Sequence, residues 1–138
     1  DFGLSRINKA NSYNNSKIKF PTAWTAIEKI LIGDYTKASD VWSFGILMSE
    51  TFNQGEMPYY SHLLRNTKEI REFLQNPRTT IEQIRKVIHP PKNYIMEQIF
   101  NKCIQKEPND RPNFDKLKHI FKIIIQILHE KAIKGKSK

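Results

Sequence analysis

Cysteine occurs once in these 138 residues. A lone Cys103 cannot close an internal disulfide, which excludes a disulfide-stapled secreted scaffold and favours a reducing, cytoplasmic setting with a buried thiol. Long apolar runs are missing too. Nothing approaches the ~20 consecutive apolar residues of a membrane-crossing helix, and the N-terminal stretch lacks a signal-peptide layout. There is no initiator Met, so a chain opening on Asp1 is expected to be an excerpt of a longer protein. Acidic residues are scarce, 14 against 23 Lys and Arg, and the net charge is +9. Much of the excess lies at the C-terminal end, where Lys116, Lys118, Lys122, Lys131, Lys134, Lys136 and Lys138 face only Asp115 and Glu130. No aromatics interleave with the lysines of 131–138 and no nucleic-acid module accompanies them, so nucleic acid is not an expected partner. A solvated basic tail over 131–138 is the simpler expectation, with contact to an anionic membrane as the alternative.

What is present suffices for one compact domain. The apolar share of 38%, with eight Phe, five Tyr and two Trp, provides a modest core. From Asp1 to about Pro21 the chain is polar and Asn-rich, without helical or alternating period, and reads as a long loop of the kind that tends to be functional. Trp24 to Ile32 predicts a short helix closed by Gly33. Thr36 or Ser39 can start a long helix through Phe52, apolar on nearly every face and therefore central. Further helices are predicted over 66–74, 80–88 and around Ile95, Ile99 and Cys103, separated by Asn76-Pro77 and His89-Pro90-Pro91. Asn113 is a suitable N-cap for a last helix, whose Phe114, Leu117, Phe121, Ile124 and Leu128 repeat as a buried face. Ile123-Ile124-Ile125 widens that stripe and hints at a partner surface. The chain is expected to be mainly helical.

Asp1-Phe2-Gly3-Leu4-Ser5-Arg6 is followed by Phe20-Pro21-Thr22-Ala23-Trp24-Thr25-Ala26-Ile27-Glu28. Then come Ser39-Asp40-Val41-Trp42-Ser43-Phe44-Gly45-Ile46-Leu47 and Lys106-Glu107-Pro108-Asn109-Asp110-Arg111-Pro112. In this order the motifs resemble the C-terminal lobe of a eukaryotic protein kinase, closest to cytoplasmic tyrosine kinases of the Src type. The resemblance implies a partial kinase domain over 1–130, with the activation segment at 1–28 and helical lobe at 29–130, lacking the N-terminal lobe and catalytic loop.

By the resemblance, Asp1 binds the Mg2+ that bridges the phosphates of ATP, Phe2 packs to set the pose of the loop, and Gly3 lets its backbone swing. Tyr13 falls at the activating phosphorylation site, with Arg6 as a partner for the phosphate. Pro21 and Trp24 belong to the loop that receives the protein substrate. Glu28 and Arg111 form a structural ion pair, and Asp40 stands where the family braces its catalytic loop. No catalytic residue lies in this chain, since the catalytic Asp precedes the Asp-Phe-Gly motif in the family. The chain alone is expected to be an inactive monomer that binds neither ATP nor Mg2+ well. Three positions depart from the pattern. Ile27 replaces Pro, Ile104 replaces Trp, and Ala23 replaces a basic residue that helps position a substrate tyrosine. A serine/threonine kinase, a pseudokinase or scaffold, and a free-standing helical adaptor therefore remain as alternatives to a tyrosine kinase.

Overall fold

The computed structural model describes residues 22–33, 35–56 and 67–136. Within them lie six α-helices and two short 3-10 turns, at Thr22–Trp24 and Pro108–Asp110, and no strand. The helices are α1 (Ile27–Ile32), α2 (Lys37–Phe52), α3 (Thr67–Gln75), α4 (Ile81–Ile88), α5 (Tyr94–Cys103) and α6 (Phe114–Lys136). The first begins three residues later than its apolar pattern suggests. Ala26 adopts an extended backbone that separates the 22–24 turn from α1. Gly33 ends α1 in the left-handed region at φ 86°, and its N–H donates to the Lys29 carbonyl at 2.8 Å.

Helix α2 is the axis of the fold. Thr36 and Ser39 both act at its start: the Thr36 hydroxyl accepts from the Ser39 N–H at 3.1 Å, and the Ser39 hydroxyl accepts from the Thr36 N–H at 3.2 Å. This reciprocal cap satisfies donors that a helix start otherwise strands. Val41, Trp42, Ile46 and Met48 are buried, each worth roughly 1.5–3 kcal/mol for the larger side chains. Leu47 and Phe52 are 52% and 41% exposed, so the helix is not covered all round by the described residues.

The closest helix pairing is α2 against α5, where Gly45 lets the backbones approach Cys103 and Ile104. Helix α3 leans on α1 and the 22–24 turn. Helix α4 buries Ile84 and Ile88, and its end is tied to α2 by polar side chains. The Ser49 hydroxyl donates toward the carbonyls of Ile88 at 3.1 Å and His89 at 2.6 Å, while the Asn53 amide donates to those of His89 and Pro90. These bonds hold His89 at φ 67°, a conformation uncommon outside glycine. Arg85, on the half-buried side of α4, donates to the carbonyls of Asn101 at 2.6 Å and Ile104 at 3.0 Å, satisfying acceptors at the end of α5.

Asn113 caps α6, accepting from the Lys116 N–H at 2.8 Å. Phe121 and Phe114 meet Phe44 edge to face, both with centroids 6.1 Å away. Two expected core residues differ: Phe114, at the very start of α6, is 44% exposed with Phe44 covering it on one side, and Leu128 is 53% exposed because the part of α6 that packs on the core ends at Ile124. The helix also runs on through 131–136, which the charge pattern alone sets apart as a tail.

Cys103 is fully buried, and burial pushes its thiol up to about 12, with the nearby Arg111 charge acting in the opposite sense. Folded protein at pH 8 is expected to leave this thiol unreacted with a disulfide reagent and to release one equivalent only in denaturant. Rapid stoichiometric labelling of the folded chain would contradict the buried placement.

Candidate functional site

Glu28 lies in the first turn of α1 and Arg111 just beyond the 108–110 turn, before α6. The fold brings these residues together from 83 positions apart. Arg111 Nη1 donates to Glu28 Oε1 at 2.6 Å and Nη2 to Oε2 at 2.9 Å, a bidentate pairing of guanidinium and carboxylate. The remaining donors go to backbone: Nε to the Gln105 carbonyl at 2.9 Å, Nη1 to Ala38 at 2.9 Å and Nη2 to Lys106 at 3.4 Å. All five N–H donors of the guanidinium are thus placed. Its flat face lies over the Trp42 ring, 5.1 Å from the centroid. The Arg111 side chain is wholly buried and that of Glu28 nearly so. Burial pushes the Glu28 carboxyl up, but hydrogen bonding and charge from Arg111, with lesser hydrogen bonds, hold it below its ordinary value.

The segment leading into α1 is pinned to α2 at a second point. Trp24 Nε1 donates to Glu50 Oε2 at 3.0 Å, and the Ser43 hydroxyl donates to the Trp24 carbonyl at 2.6 Å. The two bonds fix both the indole and the backbone of Trp24, whose ring is half-buried. Ala23 packs beside it on the core. Asp40 is exposed in the first turn of α2.

Glu28 and Arg111 thus meet beside the start of α2, Trp24 is fastened further along the same helix, and Asp40 is exposed in its first turn. Asp1, Phe2, Gly3, Arg6, Tyr13 and Pro21 lie outside the described residues. Among the described residues no cluster of His, Cys, Asp or Glu could hold a metal ion, and Asp1 is the only metal ligand that the sequence suggests. Glu50 and Ser43 are the partners that sequence reasoning did not single out. Their roles depend on which way one helix faces a distant loop, and a glutamate among apolar neighbours in the central helix was the only available signal. These contacts can hold a chain segment in a fixed pose.

The sequence matches the family profile "Protein tyrosine and serine/threonine kinase" over residues 1–121, and with the helical architecture this establishes that the chain belongs to the protein kinase family. Its fold is that of the kinase helical C-terminal lobe. It is similar to tyrosine protein-kinase src-1 of Caenorhabditis elegans, 37% identical over 126 residues covering 88% of this chain and 22% of that protein. Tyrosine-protein kinase Src64B of Drosophila melanogaster is 34% identical over 125 residues, covering 88% of this chain and 21% of the relative. Tyrosine-protein kinase Fgr of mouse is 34% identical over 122 residues, or 85% of this chain and 21% of the relative. The chain thus spans about a fifth of the length of these relatives. No described helix is long and apolar enough to cross a membrane.

Proposed function

We propose that this chain is the substrate-presenting lobe of a cytoplasmic tyrosine kinase, acting as part of a longer protein. The observation that carries the reading is the Glu28–Arg111 lock, reinforced by the Trp24–Glu50 bond. Together they fasten the end of a polar segment to the core at the place where the family receives its protein substrate. In the transfer, a peptide hydroxyl oxygen bonds to the γ-phosphorus of ATP while the bond to the β,γ-bridging oxygen breaks and ADP departs. The hydroxyl proton goes to a base that the family carries upstream of its Asp-Phe-Gly motif. Asp1 is the residue of this chain suited to hold Mg2+, a hard cation that would offset the negative charge of the phosphates. Tyr13, phosphorylated and paired with Arg6, would order the segment that Glu28 and Trp24 anchor.

The test is ATP-dependent transfer by the longer protein carrying this chain, onto a tyrosine peptide and onto the same peptide with Ser or Thr. Transfer to tyrosine is expected, with Asp1→Asn lowering it by roughly two orders of magnitude or more. Transfer confined to the Ser or Thr peptide would overturn the specificity, and a longer protein without transfer would be a pseudokinase. The 138-residue chain alone is expected to be inactive, because positioning by several groups acts jointly.

A further inference from the structure

Helix α6 carries a stripe that its packing on the core does not use. At 3.6 residues per turn, Lys118, Lys122, Ile125, His129, Ile133 and Lys136 fall within about 80° of one another, turned away from the side on which Leu117, Ile120 and Ile124 meet the core. All six are exposed, Ile125 by 64% and Ile133 by 55%. Lys118, Lys122 and Lys136 are in no ion pair among the described residues. Asp115 stands at the N-terminal end of the stripe and Glu130 outside its edge, so from Lys118 to Lys136 it holds no carboxylate. All but Lys118 lie beyond residues 1–121, the part that matches the family profile. An exposed isoleucine by itself is ordinary. Two of them set between unpaired lysines along one convex face are a pattern with a use.

We propose that this stripe of α6 lies against an anionic membrane surface. The ammonium groups reach lipid phosphates and carboxylates while the lysine stems and the two isoleucines settle between the headgroups. The attraction adds up lysine by lysine near an anionic leaflet. The stripe is a rod about 27 Å long, and a lipid surface can deform around a rod, whereas a protein partner gains most from a recess that desolvates an anchor. A second copy of this chain is repelled, since each carries a net charge of +9. A nucleic acid backbone would take the lysines and leave the isoleucines without apolar contact. No described helix can cross a membrane, so the contact is peripheral. The inference rests on α6 alone and does not depend on phosphoryl transfer.

Vesicle co-sedimentation of the 138-residue chain tests it, with vesicles of phosphatidylcholine alone and of phosphatidylcholine and phosphatidylserine in equal parts. The anionic vesicles are expected to bind at least about tenfold more tightly, and less so as salt is raised. Lys118→Glu with Lys122→Glu and Lys136→Glu is expected to weaken that binding at least about tenfold. Lys86→Glu with Lys92→Glu and Lys102→Glu changes the net charge equally at exposed positions off the stripe, and is expected to weaken it far less. Ile125→Ser with Ile133→Ser, which keeps every charge, is expected to weaken it several-fold. Far-UV circular dichroism should be unchanged in all three variants. Equal losses in the two lysine variants would reduce the effect to general charge attraction and overturn the proposal. Equal binding to both kinds of vesicle, or binding to neither, overturns it too. Binding to polyglutamate or to duplex DNA without binding to anionic vesicles assigns the stripe to a protein or to a nucleic acid and equally overturns it.

Discussion

Replacing Arg111 by Ala is expected to cost about 3–5 kcal/mol in urea unfolding followed by circular dichroism, against a total stability of roughly 5–15 kcal/mol for a domain. The size follows from what is left behind. Glu28 becomes a mostly buried carboxylate without its partner, and the carbonyls of Ala38, Gln105 and Lys106 lose a common donor. Arg111→Lys is expected to recover only a minor part, since an ammonium has three donors and cannot match the fork of a carboxylate. The double variant Glu28→Ala, Arg111→Met should cost clearly less than the sum of the single changes, by about 1–3 kcal/mol, because no charge is then stranded. A loss below about 1 kcal/mol for Arg111→Ala would mean that the lock contributes no more than a surface pair.

The same pair sets a pH dependence. The Glu28 carboxyl is held below its ordinary value of 4.5, so the folded state binds its proton less readily than the unfolded chain does. Its stabilising contribution is complete above that ordinary value and drains away as pH falls through the lower, folded one. Acid unfolding of the native chain should therefore contain a component that is missing from the double variant.

Gly45→Val is expected to be comparably damaging, by about 3 kcal/mol, and Gly45→Ala by about 1–2 kcal/mol. Two effects oppose each other at this position. Alanine favours a helix over glycine by about 1 kcal/mol, which alone would make the change stabilising. The added Cβ, however, would meet Cys103 Cβ at 2.9 Å and Ile104 Cδ1 at 3.0 Å. Cys103 Cβ is fixed to the backbone of a packed helix and cannot swing aside, so α2 and α5 must separate along their closest contact. The overpacking cost therefore outweighs the propensity gain, and the valine deepens it. A urea midpoint that rises for Gly45→Ala would show that the two helices can slide apart without penalty.

How much of this was legible in the sequence varies with the distance over which each feature is decided. Thr36, Ser39, Gly33 and Asn113 mark their helix ends correctly because a cap bonds within three residues of itself. The start of α1 was misplaced because Trp24 and Ala26 continue the apolar pattern while the backbone at Ala26 is extended. Leu128 has the right period for burial and no neighbour; periodicity states which face is apolar and not where the opposing helix stops. Glu28 and Arg111 were found through family resemblance alone. Even then the carbonyls that take the other three donors of Arg111 could not be anticipated, since every residue has a carbonyl. The Trp24–Glu50 bond and the grip of Arg85 on the end of α5 were hidden for the same reason: each joins segments whose approach is set by the packed core.

The 83-residue separation between Glu28 and Arg111 also bears on the order of assembly. Contacts between chain positions so far apart close late, after the entropy of the intervening chain has been offset by nearer pairings such as α4 with the end of α5. The lock that presents the 22–28 segment is thus a late event in folding and an early one in partial opening. Fluctuations that release it can leave the α2–α5 core intact, so the fixed pose of the 22–28 segment can be lost while the lobe still melts as a folded body.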